Sequence, residues 1–210
     1  MRPAAGLTMS TFFLIRHGAT DMMRERIAGR MPGVHLNATG RIEAERIAER
    51  LANVGIEAVY SGPLERAQET AAPLCRHLDL PLEIAPAFDE VDFGDWTGCS
   101  FHELESQPGW KRFNSFRSSA APPGGELMLA VQLRGLAQIE QLRLRHRVVA
   151  VVSHGDVIRG LTAHFLGLHL DFLQRIEISP ASITILELDD WGAQFRLING
   201  LIDTSGGLAV

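Results

Sequence analysis

The chain has 210 residues, of which 46% are hydrophobic and 21% charged, and its formal net charge at pH 7 is -5. This composition is typical of a globular protein and excludes disorder along the whole chain. The acidic balance argues against nucleic acid or an anionic membrane as a partner, and no apolar run approaches the ~20 residues of a bilayer span. Two cysteines cannot build a disulfide scaffold, which predicts free thiols and a cytoplasmic location.

The N-terminal segment lacks the apolar stretch of a signal peptide, and the chain could start at Met1 or Met9. The first predicted strand is the apolar run at residues 11–15, which ends at Arg16-His17-Gly18. At the two ends of the chain, residues 1–9 and 203–210 are expected to be flexible.

Two helices flank the next predicted strand, at residues 56–60. Apolar residues at helical spacing predict the first helix, with Thr39 as its N-cap and Gly55 as its C-terminal stop. The second helix is predicted to begin at Pro63, since proline suits a first helical position. Pro73 interrupts its apolar face and predicts a kink or an end there.

The remaining pattern is regular except at residues 88–125, which we interpret as a lid or specificity segment because its seven aromatic residues show no period. The other predicted elements are a strand at 82–85, a helix at about 126–145, a strand at 148–152, a helix that stops at Gly167, and a hairpin of 183–188 with 195–198. This order predicts one α/β domain over 1–210, a three-layer α/β/α sandwich with a largely parallel central sheet and a C-terminal hairpin. The hairpin edge is where two copies could pair as a homodimer.

Two of the predicted strands end in a His-Gly pair, at His17 and His154. Since ligands bind at the carboxyl ends of strands in open α/β sheets, both histidines should meet at one edge. Gly155 would let the backbone approach a ligand there, and Arg66, in the first turn of its helix, should lean toward the same edge. Arg16 lies at the same edge, and the guanidinium groups of the two arginines can pair with phosphate oxygens. The edge also carries two imidazoles, one of which could attack phosphorus.

An acid for the leaving oxygen is the missing part, and Glu90 is the candidate. Aromatic neighbours would desolvate its carboxyl group and raise the pKa, as a general acid requires. Asp89 and Asp92 are rivals that the spacing leaves open.

Three further cations, Lys111, Arg112 and Arg117, could bind a second anionic group of a substrate. Other histidines show no metal-ligand spacing, so no metal site is predicted. His35 could reach the rim of the site, although a surface role is favoured.

Four segments resemble, in order, the motifs of the histidine phosphatase superfamily in its phosphoglycerate-mutase-like branch: Leu14–Thr20, Ser61–Ala67, Glu90–Gly98 and Val152–Gly155. The resemblance implies an α/β sandwich and a phosphohistidine on His17. It also implies that Arg16, Arg66 and His154 hold the phosphoryl oxygens, while Glu90 protonates the leaving group and then activates water. Gly155 and Thr20 are the further predicted substrate contacts, and no metal or cofactor is implied.

The resemblance therefore implies a metal-independent phosphatase of a small-molecule phosphate ester. The stretch from Glu90 to His154 is shorter than in the glycolytic mutases of the family, which favours a phosphatase of the broad-specificity or α-ribazole-phosphate type. Ala19 and Met23 are apolar where many relatives have polar residues, so the substrate contacts should differ. The alternatives are a cofactor-dependent phosphoglycerate-type mutase and a non-catalytic protein that binds a phosphorylated ligand.

Overall fold

The computed structural model of the protein describes residues 9–202 and 208–209. Most of the two ends predicted to be flexible, residues 1–8, 203–207 and 210, therefore lies outside the described residues. Within the described part, no helix has the length and apolar character needed to span a bilayer.

The described strands form one sheet in the order β3-β2-β4-β1-β5-β6-β7. The strands are β1 (Ser10–Arg16), β2 (Ala58–Ser61), β3 (Leu82–Ile84), β4 (Val148–Ser153), β5 (Ile183–Leu188), β6 (Ala193–Ile202) and β7 (Leu208–Ala209). Strands β1 to β4 pair in parallel, whereas β5, β6 and β7 pair antiparallel. The C-terminal hairpin is thus confirmed, and β7 places residues 208–209 of the predicted flexible tail against β6.

Helices cover both faces of the sheet, which confirms the three-layer α/β/α sandwich. They are α1 (Ala38–Leu51), α2 (Glu65–Leu78), α3 (Phe101–Glu105), α4 (Pro108–Ser115), α5 (Met128–Arg143) and α6 (Gly155–Phe165). Side chains of β1 alternate between the faces: Phe12 and Leu14 pack in the core that includes α5 and α6, while Phe13 and Ile15 pack in the core that includes α1 and α2. This alternation is the period of a strand buried on both sides.

Helix α1 is bounded by residues other than those predicted. Asn37 is its N-cap, because its side-chain oxygen accepts a hydrogen bond from the Gly40 N–H at 2.9 Å. Thr39 is therefore already inside the helix, so its prediction as the cap is wrong. The helix ends at Leu51, before Gly55, which takes a left-handed φ of 76° in the following turn.

Helix α2 begins after the predicted Pro63 and does not end at Pro73. It begins at Glu65 after Leu64 as N-cap, so Pro63 lies before the helix, and it continues through Pro73 to Leu78. The helix survives the lost backbone hydrogen bond because its apolar face is buried in the core on both sides of the proline, at Ala67, Ala71 and Leu74.

Candidate active site

His17 follows the last residue of β1, at the edge where β1 and β4 both end. Its backbone N–H donates to the Ser153 carbonyl at 2.9 Å, which ties it to the end of β4. Its ring Nδ1 lies 2.8 Å from the Gly18 carbonyl oxygen. A carbonyl only accepts, so Nδ1 carries the proton and Nε2 keeps a free lone pair.

Helices α1 and α2 fix the loop that carries His17. A Cβ on Gly40 would lie 2.2 Å from the Ala19 carbonyl oxygen, so α1 contacts this loop through bare backbone. The Ala19 N–H donates to the Glu43 carboxylate at 2.8 Å, and the Gly18 N–H donates to the Thr70 hydroxyl at 3.0 Å. The loop is therefore anchored on both neighbouring helices.

Two guanidinium groups flank the imidazole of His17. Arg66 is buried; its Nη2 donates to the Gly29 carbonyl at 2.7 Å, while its Nη1 has no partner among the described residues. Arg16 donates from Nη1 to the Ile178 carbonyl at 2.7 Å, and its Nε is likewise unpartnered. Burial, then Arg66 and Arg16, hold the pKa of His17 well below its ordinary value, so the imidazole is neutral near pH 7.

His154 is buried directly beside His17 and is the N-cap residue of α6. The two rings meet edge to face with centroids 5.1 Å apart, and neither ring nitrogen of His154 has a hydrogen-bond partner among the described residues. Burial, followed by the neighbouring His17 ring and the charge of Arg66, holds the pKa of His154 well below its ordinary value. Its Nδ1 lies 3.7 Å from a Glu90 carboxylate oxygen, too far for a hydrogen bond.

Of the three acidic candidates Asp89, Glu90 and Asp92, Glu90 lines the cleft, and its side chain is only 14% exposed. Burial and the charge of Asp156 raise its pKa to about 7 against the opposing effect of Arg66. Asp89 turns away, since its carboxylate accepts from the Glu90 N–H and faces Arg30. Asp92 bonds the Gly94 N–H, and neither aspartate lines the cleft.

The cleft above His17 has a volume of about 280 Å³. Thr20 and Gly155 line it, whereas His154 is fully buried and is not part of the lining. The wall that includes the predicted specificity segment is largely apolar and is made of Met22, Met23, Ile27, Phe93, Phe101 and Trp110. The cleft therefore has a polar floor and an apolar wall.

The structure separates the three cations that the sequence analysis proposed for a second anionic group. Arg117 lines the cleft, whereas Lys111 and Arg112 lie exposed on α4 outside its lining. The fork of Arg117 donates to Asp156 at 2.7 Å, and Arg159 donates to the other oxygen of that carboxylate at 2.9 Å. Sequence reasoning missed Asp156 and Arg159, although both lie in the first turns of the helix that follows His154-Gly155.

His35 has a surface role: its Nδ1 lies 2.6 Å from the Glu69 carboxylate and it does not line the cleft. Across residues 9–202 and 208–209, no three His, Cys, Asp or Glu side chains cluster in a way that could hold a metal ion.

Known proteins with similar sequences and structures include both phosphatases and mutases. Adenosylcobalamin/alpha-ribazole phosphatase of Escherichia coli is 26% identical over 89% of this chain and 94% of its own length. A 2,3-bisphosphoglycerate-dependent phosphoglycerate mutase of Bartonella henselae is 29% identical over 76% of this chain and 82% of its own. The solved structure of a mycobacterial glucosyl-3-phosphoglycerate phosphatase superposes with a TM-score of 0.83 at 25% identity, over 91% of this chain and 99% of that one.

Other relatives are longer proteins. Three mycobacterial sequences are 32% identical over 197 residues, and the chain spans 54% of their length. The model of the histidine phosphatase superfamily (branch 1) matches residues 12–200, which include all four motifs. The chain therefore belongs to the histidine phosphatase superfamily, branch 1.

Proposed function

We propose that this chain is a phosphatase that hydrolyses small-molecule phosphomonoesters through a phosphohistidine on His17, with no metal or cofactor. The observation that carries the proposal is the neutral imidazole of His17, whose Nε2 is free, between the guanidinium groups of Arg16 and Arg66. Each of these guanidinium groups keeps one buried nitrogen without a partner among the described residues, Arg16 Nε and Arg66 Nη1. Such an imidazole is a nucleophile, and the unpaired N–H groups around it suit the oxygens of a phosphoryl group. Glu90 adds a carboxyl group that is about half protonated near neutral pH.

In the first step, His17 Nε2 attacks phosphorus, so that a P–N bond forms as the P–O bond to the alcohol breaks. Arg16, Arg66 and His154 stabilise the charge on the phosphoryl oxygens during the transfer. Glu90 gives its proton to the leaving oxygen and becomes a carboxylate.

In the second step, the Glu90 carboxylate takes a proton from a water molecule whose oxygen attacks phosphorus. The P–N bond breaks, the electron pair returns to Nε2, and inorganic phosphate leaves. Gly155 and Thr20, at the cleft surface, contact the bound phosphoryl group in both steps.

The test is hydrolysis of p-nitrophenyl phosphate and of a panel of metabolite phosphates in EDTA, with His17→Ala as the blank. We expect turnover that survives EDTA, and an acid-labile phosphoryl adduct on His17 after a rapid quench. Loss of all turnover in EDTA, or an adduct elsewhere, would contradict the proposal. Phosphate binding without turnover would favour a non-catalytic phospho-ligand-binding protein.

A mutase is the second candidate, because a phosphoglycerate mutase is among the similar proteins. A mutase needs a phosphoenzyme that passes its phosphoryl group to a second substrate hydroxyl faster than to water. The ratio of transfer to hydrolysis, measured on phosphoglycerate with and without a bisphosphate primer, separates the two. Hydrolysis that exceeds transfer in both conditions supports the phosphatase.

A further inference from the structure

The backbone carbonyl of Glu90 is held by two arginines from distant parts of the chain. Arg30, in the loop after β1, donates from Nε at 2.8 Å. Arg134, in the middle of α5, donates from Nη2 at 3.1 Å. Hydrogen bonds from charged donors are the stronger ones, so this carbonyl is fixed from both sides.

Glu126 joins the two arginines to each other and to the loop. Its Oε1 accepts from Arg30 Nη2 at 2.7 Å, from Arg134 Nη2 at 3.0 Å and from the Asp92 N–H at 2.9 Å. Its own N–H donates to the Asp92 carbonyl at 3.0 Å, and Arg134 Nη1 donates to the Ala87 carbonyl at 2.6 Å. The loop is therefore anchored before, at and after the acid.

This anchoring matters because residues 89–93 belong to neither a strand nor a helix, so no regular backbone ladder sets the depth of the acid. The Glu90 carboxylate is buried among charged groups of three elements, Arg16 of β1, Arg66 of α2 and Asp156 of α6, and beside the neutral His154. A shift of about 1 Å is enough to cost a catalytic group about 10²-fold in rate.

We propose that Glu126, with Arg30 and Arg134, is a positioning group that holds the general acid Glu90 where it reaches the leaving oxygen of the substrate. None of the three lines the cleft, and the two arginines bond to the backbone carbonyl of Glu90, so the group acts on the acid and not on the substrate. The inference rests on the proposed phosphatase function.

Two substrates that differ in leaving group test it. An alkyl phosphate needs a proton on its leaving oxygen, whereas nitrophenolate leaves with little help. In Glu126→Ala we expect kcat/KM to fall about 10²-fold for the alkyl phosphate and only about threefold for p-nitrophenyl phosphate, since the acid supplies little of that rate.

The pH profile supplies a second readout. A loosened loop would admit water to Glu90 and return its pKa toward the ordinary value of a carboxyl group. The fall of kcat/KM at alkaline pH should therefore begin at lower pH in Glu126→Ala than in the wild-type chain. Glu126→Gln keeps an acceptor oxygen at the same place without the charge, and we expect it to fold. Its kcat/KM values and its pH profile should lie between those of Glu126→Ala and those of the wild-type chain.

Arg143→Ala is the control, because Arg143 lies on the helix of Arg134, outside the cleft lining, and its side chain pairs with Glu140 and Asp190 among the described residues. It should change neither the substrate ratio nor the pH profile. Equal losses on both substrates with an unmoved pH profile in the two Glu126 variants would overturn the positioning role. A wild-type chain that hydrolyses neither substrate would overturn the proposed function, and the positioning role with it.

Discussion

The imidazole of His154 meets that of His17 edge to face, with ring centroids 5.1 Å apart. The sheet places the rings side by side, because they follow paired strands in which Arg16 lies opposite Ser153. Burial and the neighbouring cations keep both rings neutral. The ring of His17 therefore offers a lone pair on Nε2. The ring of His154 keeps two buried nitrogens without partners among the described residues, and one of them carries an N–H.

His154→Ala should lower kcat/KM for any phosphomonoester by about 10²–10³-fold, the usual loss when one donor to a developing oxyanion is removed. His146→Ala is the matched control, since this histidine pairs with Tyr60 away from the cleft. Steady-state kinetics of the two variants are the measurement. Wild-type activity in His154→Ala would remove His154 from the reaction.

The pH dependence of kcat/KM follows from the acid and the nucleophile. The acid must be protonated, and the pKa of Glu90 is about 7, so kcat/KM should fall above about pH 7. His17 must be unprotonated, and its pKa lies well below the ordinary value, so kcat/KM should stay high into the acidic range. The pH profile of kcat/KM, measured in EDTA with p-nitrophenyl phosphate and with an alkyl phosphate, gives both the acidic and the alkaline limb of the curve.

Asp156→Asn should move the alkaline limb to lower pH. The charge of Asp156 raises the pKa of Glu90, so its removal lowers that pKa, and the unpaired Arg117 and Arg159 would lower it further. An alkaline limb that stays in place or moves upward would show that Asp156 does not tune the acid.

Arg117→Gln should raise KM for a phosphomonoester that carries a second anionic group. Arg117 lines the cleft and is only 4% exposed, and its Nε has no partner among the described residues. A lost hydrogen bond from a charged donor corresponds to about a tenfold change in KM. Arg112→Gln, outside the cleft lining, should leave KM unchanged, and an equal effect of Arg117→Gln on a simple aryl phosphate would count against a second anion.

Phe113→Ala should lower the free energy of unfolding by about 3–5 kcal/mol, as for other fully buried aromatic residues. Phe113 is 0% exposed and meets Trp96 and Phe93 edge to face at centroid distances of 5.4 and 6.0 Å. Phe116, 54% exposed in the same segment, is the control, and Phe116→Ala should change stability by no more than about 0.5 kcal/mol. Urea unfolding of both variants decides whether the segment forms part of the core.

The sequence by itself determined the three-layer α/β/α architecture and the position of the site, because both depend on patterns among residues that are close in the sequence. The apolar strand of Phe12–Ile15 and its His-Gly end are read from adjacent residues. Parallel pairing of this strand with the strand before His154 brings the two ends to one edge. Helix caps were less predictable. Asn37 and Thr39 are both among the favoured N-cap residues, with Asn ranked above Thr, and the backbone of the folded loop places Asn37 at the cap.

Tertiary structure decided which side chains face the cleft. Spacing could not separate Glu90 from Asp89 and Asp92, because the direction of a side chain in an irregular loop depends on its partners. Those partners, Arg30 and Glu126, lie far away in the sequence. In the same way, only the ion pair with Asp156 distinguishes the cleft-lining Arg117 from its exposed neighbours on α4, because the fold alone brings two residues 39 positions apart into contact.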